Sequence, residues 1–71
     1  MKLKFENNGE KRVMDIQANS LLQVADRITR RYGYGAIIAS DYDRGILILN
    51  NGVTITDLEE NKRYKEMLKY M

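Results

Sequence analysis

The stretch Ile46-Leu47-Ile48-Leu49 decides the fold of this 71-residue chain. Successive side chains of a β-strand point to opposite faces, so four consecutive large aliphatic residues need cover on both faces. In so short a chain the second cover has three candidate sources: its own C-terminal helix, a second copy of the chain, or a target protein. The choice among these three is the functional question.

Length and composition limit the classes of function. Residues 1–71 are enough for one small domain, whose single core contributes only about 3–5 kcal/mol to stability. The chain contains no cysteine and no histidine. It therefore has no disulfide, no thiolate metal site, and neither the commonest neutral metal ligand nor the usual general base. We expect no enzymatic activity, no cofactor and no small-molecule substrate.

The charges are nearly balanced, with 12 Lys and Arg against 10 Asp and Glu. Because the two signs are interspersed, the net charge of +2 is a weak indication of a nucleic-acid partner. The N-terminal residues 1–6 alternate polar and apolar side chains and lack the continuous apolar stretch of a signal peptide or membrane span. We expect a soluble, cytoplasmic protein without a membrane partner.

Residues 2–17 predict a β-hairpin about Asn8-Gly9, because a two-residue type I′ turn needs positive φ at both central positions. That register gives the hairpin one charged face and one apolar face. The charged face pairs Lys2 with Asp15 and Glu6 with Lys11. The apolar face is expected to be buried under the first helix, and it carries Leu3, Phe5, Met14 and Ile16.

The first helix has clear boundaries in the sequence. Ser20 followed by Gln23 predicts a capping box, and Gly33 supplies a left-handed stop. Between them, apolar residues recur at helical spacing and predict one stripe that faces the hairpin. The stripe consists of Leu21, Val24, Ala25, Ile28 and Tyr32.

Three strands and a second helix follow. We predict a short buried strand at 35–40, a turn at 41–45, a strand at 46–49 and a last strand at 53–56 after a second type I′ turn. Thr56 or Asp57 opens the second helix, since each has a Glu three residues later. The predicted architecture is α+β in the order β-β-α-β-β(-β)-α, with a mainly antiparallel sheet and two helices.

A two-residue loop at Asn51-Gly52 would set Ile48 beside Ile55 on one face of the sheet. The opposite face is then the candidate protein-binding or dimer surface, formed by Leu47, Leu49, Thr54 and Thr56. The second helix offers only an interrupted apolar stripe as cover. We therefore predict self-association, most simply a two-fold dimer through this face or an adjoining strand edge.

A second set of residues suggests a nucleic-acid surface. Arginine and tyrosine alternate with glycine over residues 30–35, a pattern suited to phosphate neutralisation and base stacking. The candidate nucleic-acid-binding residues are Arg27, Arg30, Arg31, Tyr34, Lys62 and Lys65. Ordinary helix-end rules and a solvated second helix explain the same residues without a ligand.

Asp41-x-Asp43-x-Gly45 is similar to the start of a calcium-binding loop. The glycine comes one position too early, however, and Gly52 occupies the position where such a loop needs a bidentate glutamate. Aspartates in tight turns commonly bond their own backbone. The segment therefore predicts a structural turn without a metal.

Three hypotheses of function follow from the sequence. The first is a small non-enzymatic module that binds a protein, as an inhibitor or adaptor, through an apolar sheet face or an edge strand. The second is a nucleic-acid-binding protein. The third is a structural homodimer without another partner.

Overall fold

The computed structural model describes residues 1–70 and contains one five-stranded antiparallel sheet with two helices, which confirms the α+β class. Its elements are β1 (Lys2–Asn7), β2 (Glu10–Asp15), α1 (Leu21–Tyr32), β3 (Ile37–Asp41), β4 (Ile46–Leu49), β5 (Thr54–Asp57) and α2 (Leu58–Leu68). The sheet order is β2-β1-β5-β4-β3. The pairing of β1 with β5 joins the two halves of the chain into one sheet.

The first hairpin has the predicted register. Lys2 pairs with Asp15, Leu3 with Met14 and Glu6 with Lys11. Asn8 and Gly9 have φ of 52° and 84°, as a type I′ turn requires. Leu3 is fully buried, whereas Met14 is exposed. The prediction for Met14 is wrong because β2 is the edge of the sheet.

Helix α1 covers one face of the sheet, which we call the core face. The Gln23 backbone N–H donates to Ser20 Oγ at 3.2 Å, and Gly33 with φ 97° follows the last turn. The core cluster unites α1 with three strands and consists of Leu3, Leu21, Val24, Ala25, Leu47 and Ile55. The predicted stripe is confirmed except at Tyr32, whose exposed ring lies 5.7 Å from the Arg31 guanidinium.

The second hairpin differs from the prediction by one residue of register. Leu47 pairs with Ile55 and Ile48 with Thr54. The loop contains three residues, 50–52, because the Leu49 backbone N–H donates to the Val53 carbonyl at 2.9 Å. Only its glycine has positive φ, which suits a three-residue loop and not a type I′ turn.

This one-residue shift exchanges the two faces of β5 relative to β4. The predicted surface of Leu47, Leu49, Thr54 and Thr56 does not exist as a single face. Leu47 is 0% exposed in the core, and Leu49 packs against the same cluster. The two threonines pair with isoleucines of β4 on the opposite side of the sheet. The observed register places the larger aliphatic side chains of both strands under α1.

Strand β3 is an edge strand, which corrects the prediction of a buried strand at 35–40. Its residues 38–41 are exposed. The pairing with β4 shifts between Ile37 and Ala39, so the strand contains a β-bulge. In the turn that follows, the Arg44 backbone N–H donates to Asp41 Oδ1 at 3.1 Å, which is the predicted local bond.

We expect Leu47→Ala to lower the free energy of unfolding by about 2–5 kcal/mol, because it leaves a cavity at the centre of the core. Ile48→Ala, one residue along on the other face, should cost much less. Urea unfolding followed by circular dichroism measures both. Equal losses for the two variants would contradict the observed register.

Candidate functional site

The sheet face opposite α1, which we call the second face, carries an apolar surface. Ile46 and Ile48 point to this face because Leu47 between them points into the core. Ile38 is the extra residue of the β-bulge, where it and Ala39 together lie opposite Ile48, and its side chain is exposed. We call Ile38, Ile46 and Ile48 the open patch. Ile38 is 65% exposed and Ile48 is 36% exposed.

The open patch occupies one half of the second face, and the other half is polar. Lys4 of β1 pairs across the strands with Thr56 and with Val13 of β2. Its ammonium lies 2.9 Å from the Glu6 carboxylate. The second face therefore divides into an aliphatic half at β3 and β4 and a charged half at β1 and β2.

Helix α2 leaves the open patch uncovered. The helix begins at Leu58 directly after β5 ends at Asp57, and no residue of α2 is buried. Its first two turns are fixed to the turn between β3 and β4. Asn61 Nδ2 donates to the Arg44 carbonyl at 2.9 Å, and Arg44 Nε donates to the Tyr64 hydroxyl at 3.2 Å. The Arg44 guanidinium also lies 5.3 Å from the centre of the Tyr64 ring.

Comparisons with known proteins add no relative. No family model, curated protein or solved structure matches the chain. The function therefore has to be argued from the geometry alone.

Within residues 1–70, no three acidic, cysteine or histidine side chains come together in a way that could hold a metal ion. Over the same residues, neither helix has the length and apolar character needed to cross a membrane.

The predicted nucleic-acid residues fall into two separate groups. Arg30, Arg31 and Tyr34 lie at the C-terminal end of α1. The first turns of α2 instead line a groove together with the N-terminal end of α1. The 12 residues of α1 span about 18 Å, which separates the first group from that groove. Lys62 and Lys65, further along α2, belong to the second group.

Two of the candidate arginines of α1 already have intramolecular partners. Arg30 Nε lies 2.9 Å from the Asp26 carboxylate, and Arg27 Nη1 donates to the Gln17 carbonyl at 2.7 Å. The structure thus does not assemble the six candidates into one basic surface. Tyr34 is exposed and follows the glycine that ends α1.

An apolar groove of about 540 Å³ opens at the C-terminal end of α1. It lies on the core face and is lined mainly by Phe5, Ile28, Tyr32, Leu49 and Val53. Leu49 belongs to this groove and not to the predicted surface on the second face. The groove is the open end of the core, where the three-residue loop replaces the predicted tight turn.

Ile38 and Ile48, which are exposed in the structure, were not among the surface residues predicted from the sequence. Both belong to apolar runs that we assigned to buried strands. The available signal was the charge pattern of the strands: β2 carries charges at Glu10, Lys11, Arg12 and Asp15 and needs no cover, which marks it as a protected edge. Apolar surface is therefore expected at the opposite edge of the sheet, β3, and on the outer face beside it.

The ion pair on the second face makes a pH prediction. The hydrogen bond from Lys4, helped by the charge of Lys11, lowers the pKa of Glu6 below its ordinary value. A depressed folded-state pKa stabilises the fold above the unfolded pKa, and this contribution is lost as the pH falls through the folded pKa. We expect Lys4→Gln to raise the Glu6 pKa more than Lys11→Gln does. NMR titration of the carboxyl carbon measures this, and equal shifts would contradict the pairing.

The placement of α2 makes a second prediction at Gly45, whose φ is 73°. A Cβ there would lie 2.9 Å from Glu60 Cβ and 3.1 Å from the Asp57 carbonyl oxygen. Gly45→Ala should therefore cost more than the roughly 1–2 kcal/mol of a left-handed alanine. Gly9→Ala is the matched control, because Gly9 also has positive φ but has open space around it. Equal losses on urea unfolding would show that α2 is not held against this turn.

Proposed function

We propose that this protein is a non-enzymatic protein-binding module and that it binds through the open patch of Ile38, Ile46 and Ile48. The observation that carries the proposal is the exposure of Ile38 and Ile48 beside the half-buried Ile46, on a sheet face against which no residue of α2 is buried. Contiguous apolar surface bordered by polar residues is typical of protein interaction sites. The charged half of the second face supplies the polar border here.

The position of the patch at a sheet edge also favours a protein partner. The edge strand β3 carries one charge, Asp41, and this carboxylate lies 3.5 Å from Arg44 Nε. The opposite edge, β2, is protected by four charged residues. A partner that covers the patch can therefore extend over β3 without leaving an unpaired charge in the interface.

The separation of the basic residues gives the nucleic-acid hypothesis less support. Phosphate binding gains from several cations on one continuous surface. In this structure the α1 and α2 groups lie apart, and Arg27 and Arg30 are already engaged.

The proposal can be tested by capture of partners from an extract of the native host. We expect a protein partner to be retained after nuclease treatment and to be lost with Ile48→Lys, which places a charge in the patch. Val13→Lys is the matched control, since Val13 is an exposed aliphatic residue on the charged half of the same face. Its partner should remain bound.

Recovery that disappears with nuclease would favour the nucleic-acid hypothesis instead. A partner that Ile48→Lys and Val13→Lys retain equally would contradict binding through the open patch.

A further inference from the structure

The chain has a second apolar surface without cover, on α2. Tyr64, Met67 and Leu68 recur at helical spacing and form what we call the α2 stripe. Tyr64 contacts the turn between β3 and β4, whereas Met67 is 51% exposed and Leu68 is 47% exposed. An apolar helix stripe and an apolar sheet face are the two surfaces that a layered domain normally packs together.

Helix α2 does not place its stripe on the open patch of its own chain, since Ile38, Met67 and Leu68 are all exposed. A helix that packs back over a sheet needs a connection in which the chain reverses, usually of 2–6 residues. Here Asp57 is both the last residue of β5 and the N-cap of α2. Asn61 donates to the Arg44 carbonyl and the Arg44 guanidinium donates to Tyr64, and these bonds hold the helix against the turn between β3 and β4. Both surfaces are thus left open within one chain.

Charges at the two surfaces are complementary. Asp41, which is paired with Arg44, lies opposite Ile46 of the open patch, and Asp43, in the turn that follows β3, forms no ion pair within residues 1–70. Lys65 and Lys69 flank the α2 stripe and likewise form no ion pair with the residues that the structure describes. A second copy docked by its α2 stripe would bring lysines to the acidic border of the patch.

We propose that two copies of the chain form a reciprocal dimer, in which the α2 stripe of each copy covers the open patch of the other. We call this arrangement the exchange; each α2 keeps its contacts with its own chain. This inference rests on the proposed function and names the partner of the same site as a second copy. The arrangement uses the same two surfaces from both copies and closes on itself about a two-fold axis. The dimer covers the open patch and the α2 stripe of each copy at the same time.

Sedimentation equilibrium over a concentration series tests the exchange. We expect the wild-type chain to reach the mass of two chains, and Ile48→Lys and Leu68→Glu each to remain at the mass of one. Both substitutions are at exposed positions, and circular dichroism confirms that each variant is folded. Val13→Lys, outside both surfaces, should form the same dimer as wild type.

A mixture of the two variants gives the decisive result. In a mixed dimer, the unaltered α2 of the Ile48→Lys chain meets the unaltered patch of the Leu68→Glu chain. The other contact brings the introduced lysine and glutamate together as an ion pair. We therefore expect the equimolar mixture to recover the mass of two chains. Ile38→Lys with Met67→Glu provides a second pair at independent positions.

Two results would overturn the exchange. One is a wild-type chain that stays monomeric at every concentration, and the other is a Leu68→Glu variant that still dimerises, which would mean that patch meets patch. The proposed function is judged separately, by partner capture with Ile48→Lys and Val13→Lys. A monomer that captures a protein through the patch would retain the proposed function and reject the exchange.

Discussion

The arrangement of the molecule depends on Asp57, where a strand and a helix meet without an intervening residue. Its backbone N–H donates to the Gly45 carbonyl at 2.7 Å, and its carboxylate accepts from the N–H groups of Glu59 and Glu60. The residue is buried, pairs with Leu3 of β1 and caps α2. Asp57 thus ends the sheet with its backbone and starts the helix with its side chain. The direct connection and the hydrogen bonds that join Asn61 and Tyr64 to Arg44 hold α2 against the turn between β3 and β4, and no residue of α2 is buried.

The consequence is a sheet with one covered face. Antiparallel sheets commonly pack one face against a core and leave the other in water, and then the second face is polar. Here only half of the second face follows that rule. Lys4 and Glu6 form an ion pair on the β1 side, whereas Ile38, Ile46 and Ile48 lie at the β3 side. The aliphatic half does not belong to the core of one chain. For this reason we propose that it is a surface for a partner.

The two Asn-Gly dipeptides of the chain form different turns, so the dipeptide alone does not determine the turn. Asn8-Gly9 forms the two-residue turn that its sequence predicts, and every pairing of the first hairpin follows from it. Asn51-Gly52 has the same dipeptide but lies in a three-residue loop, and the Val53 backbone N–H donates to Asn51 Oδ1 at 3.1 Å. Register is specified by the strand face that becomes buried, so the burial of whole strand faces decides between the two loops. Leu47 and Ile55 are buried together only in the longer loop.

The sequence by itself determined the order of elements, the first hairpin, the caps of both helices and the stripe from Leu21 to Ile28, because these depend on neighbours within a few residues. It also predicted that the four aliphatic residues at 46–49 need cover on both faces, and in one chain Leu47 and Leu49 have it whereas Ile48 is exposed. Only the tertiary structure decided which of them lie under α1, since that requires the pairing of β5 with β1 and β4 together. The same holds for the candidate site: the strand order that makes β3 an edge and the register of β4 with β5 depend on contacts between distant segments. They move the exposed apolar surface from Leu47 and Leu49 to the isoleucines beside them.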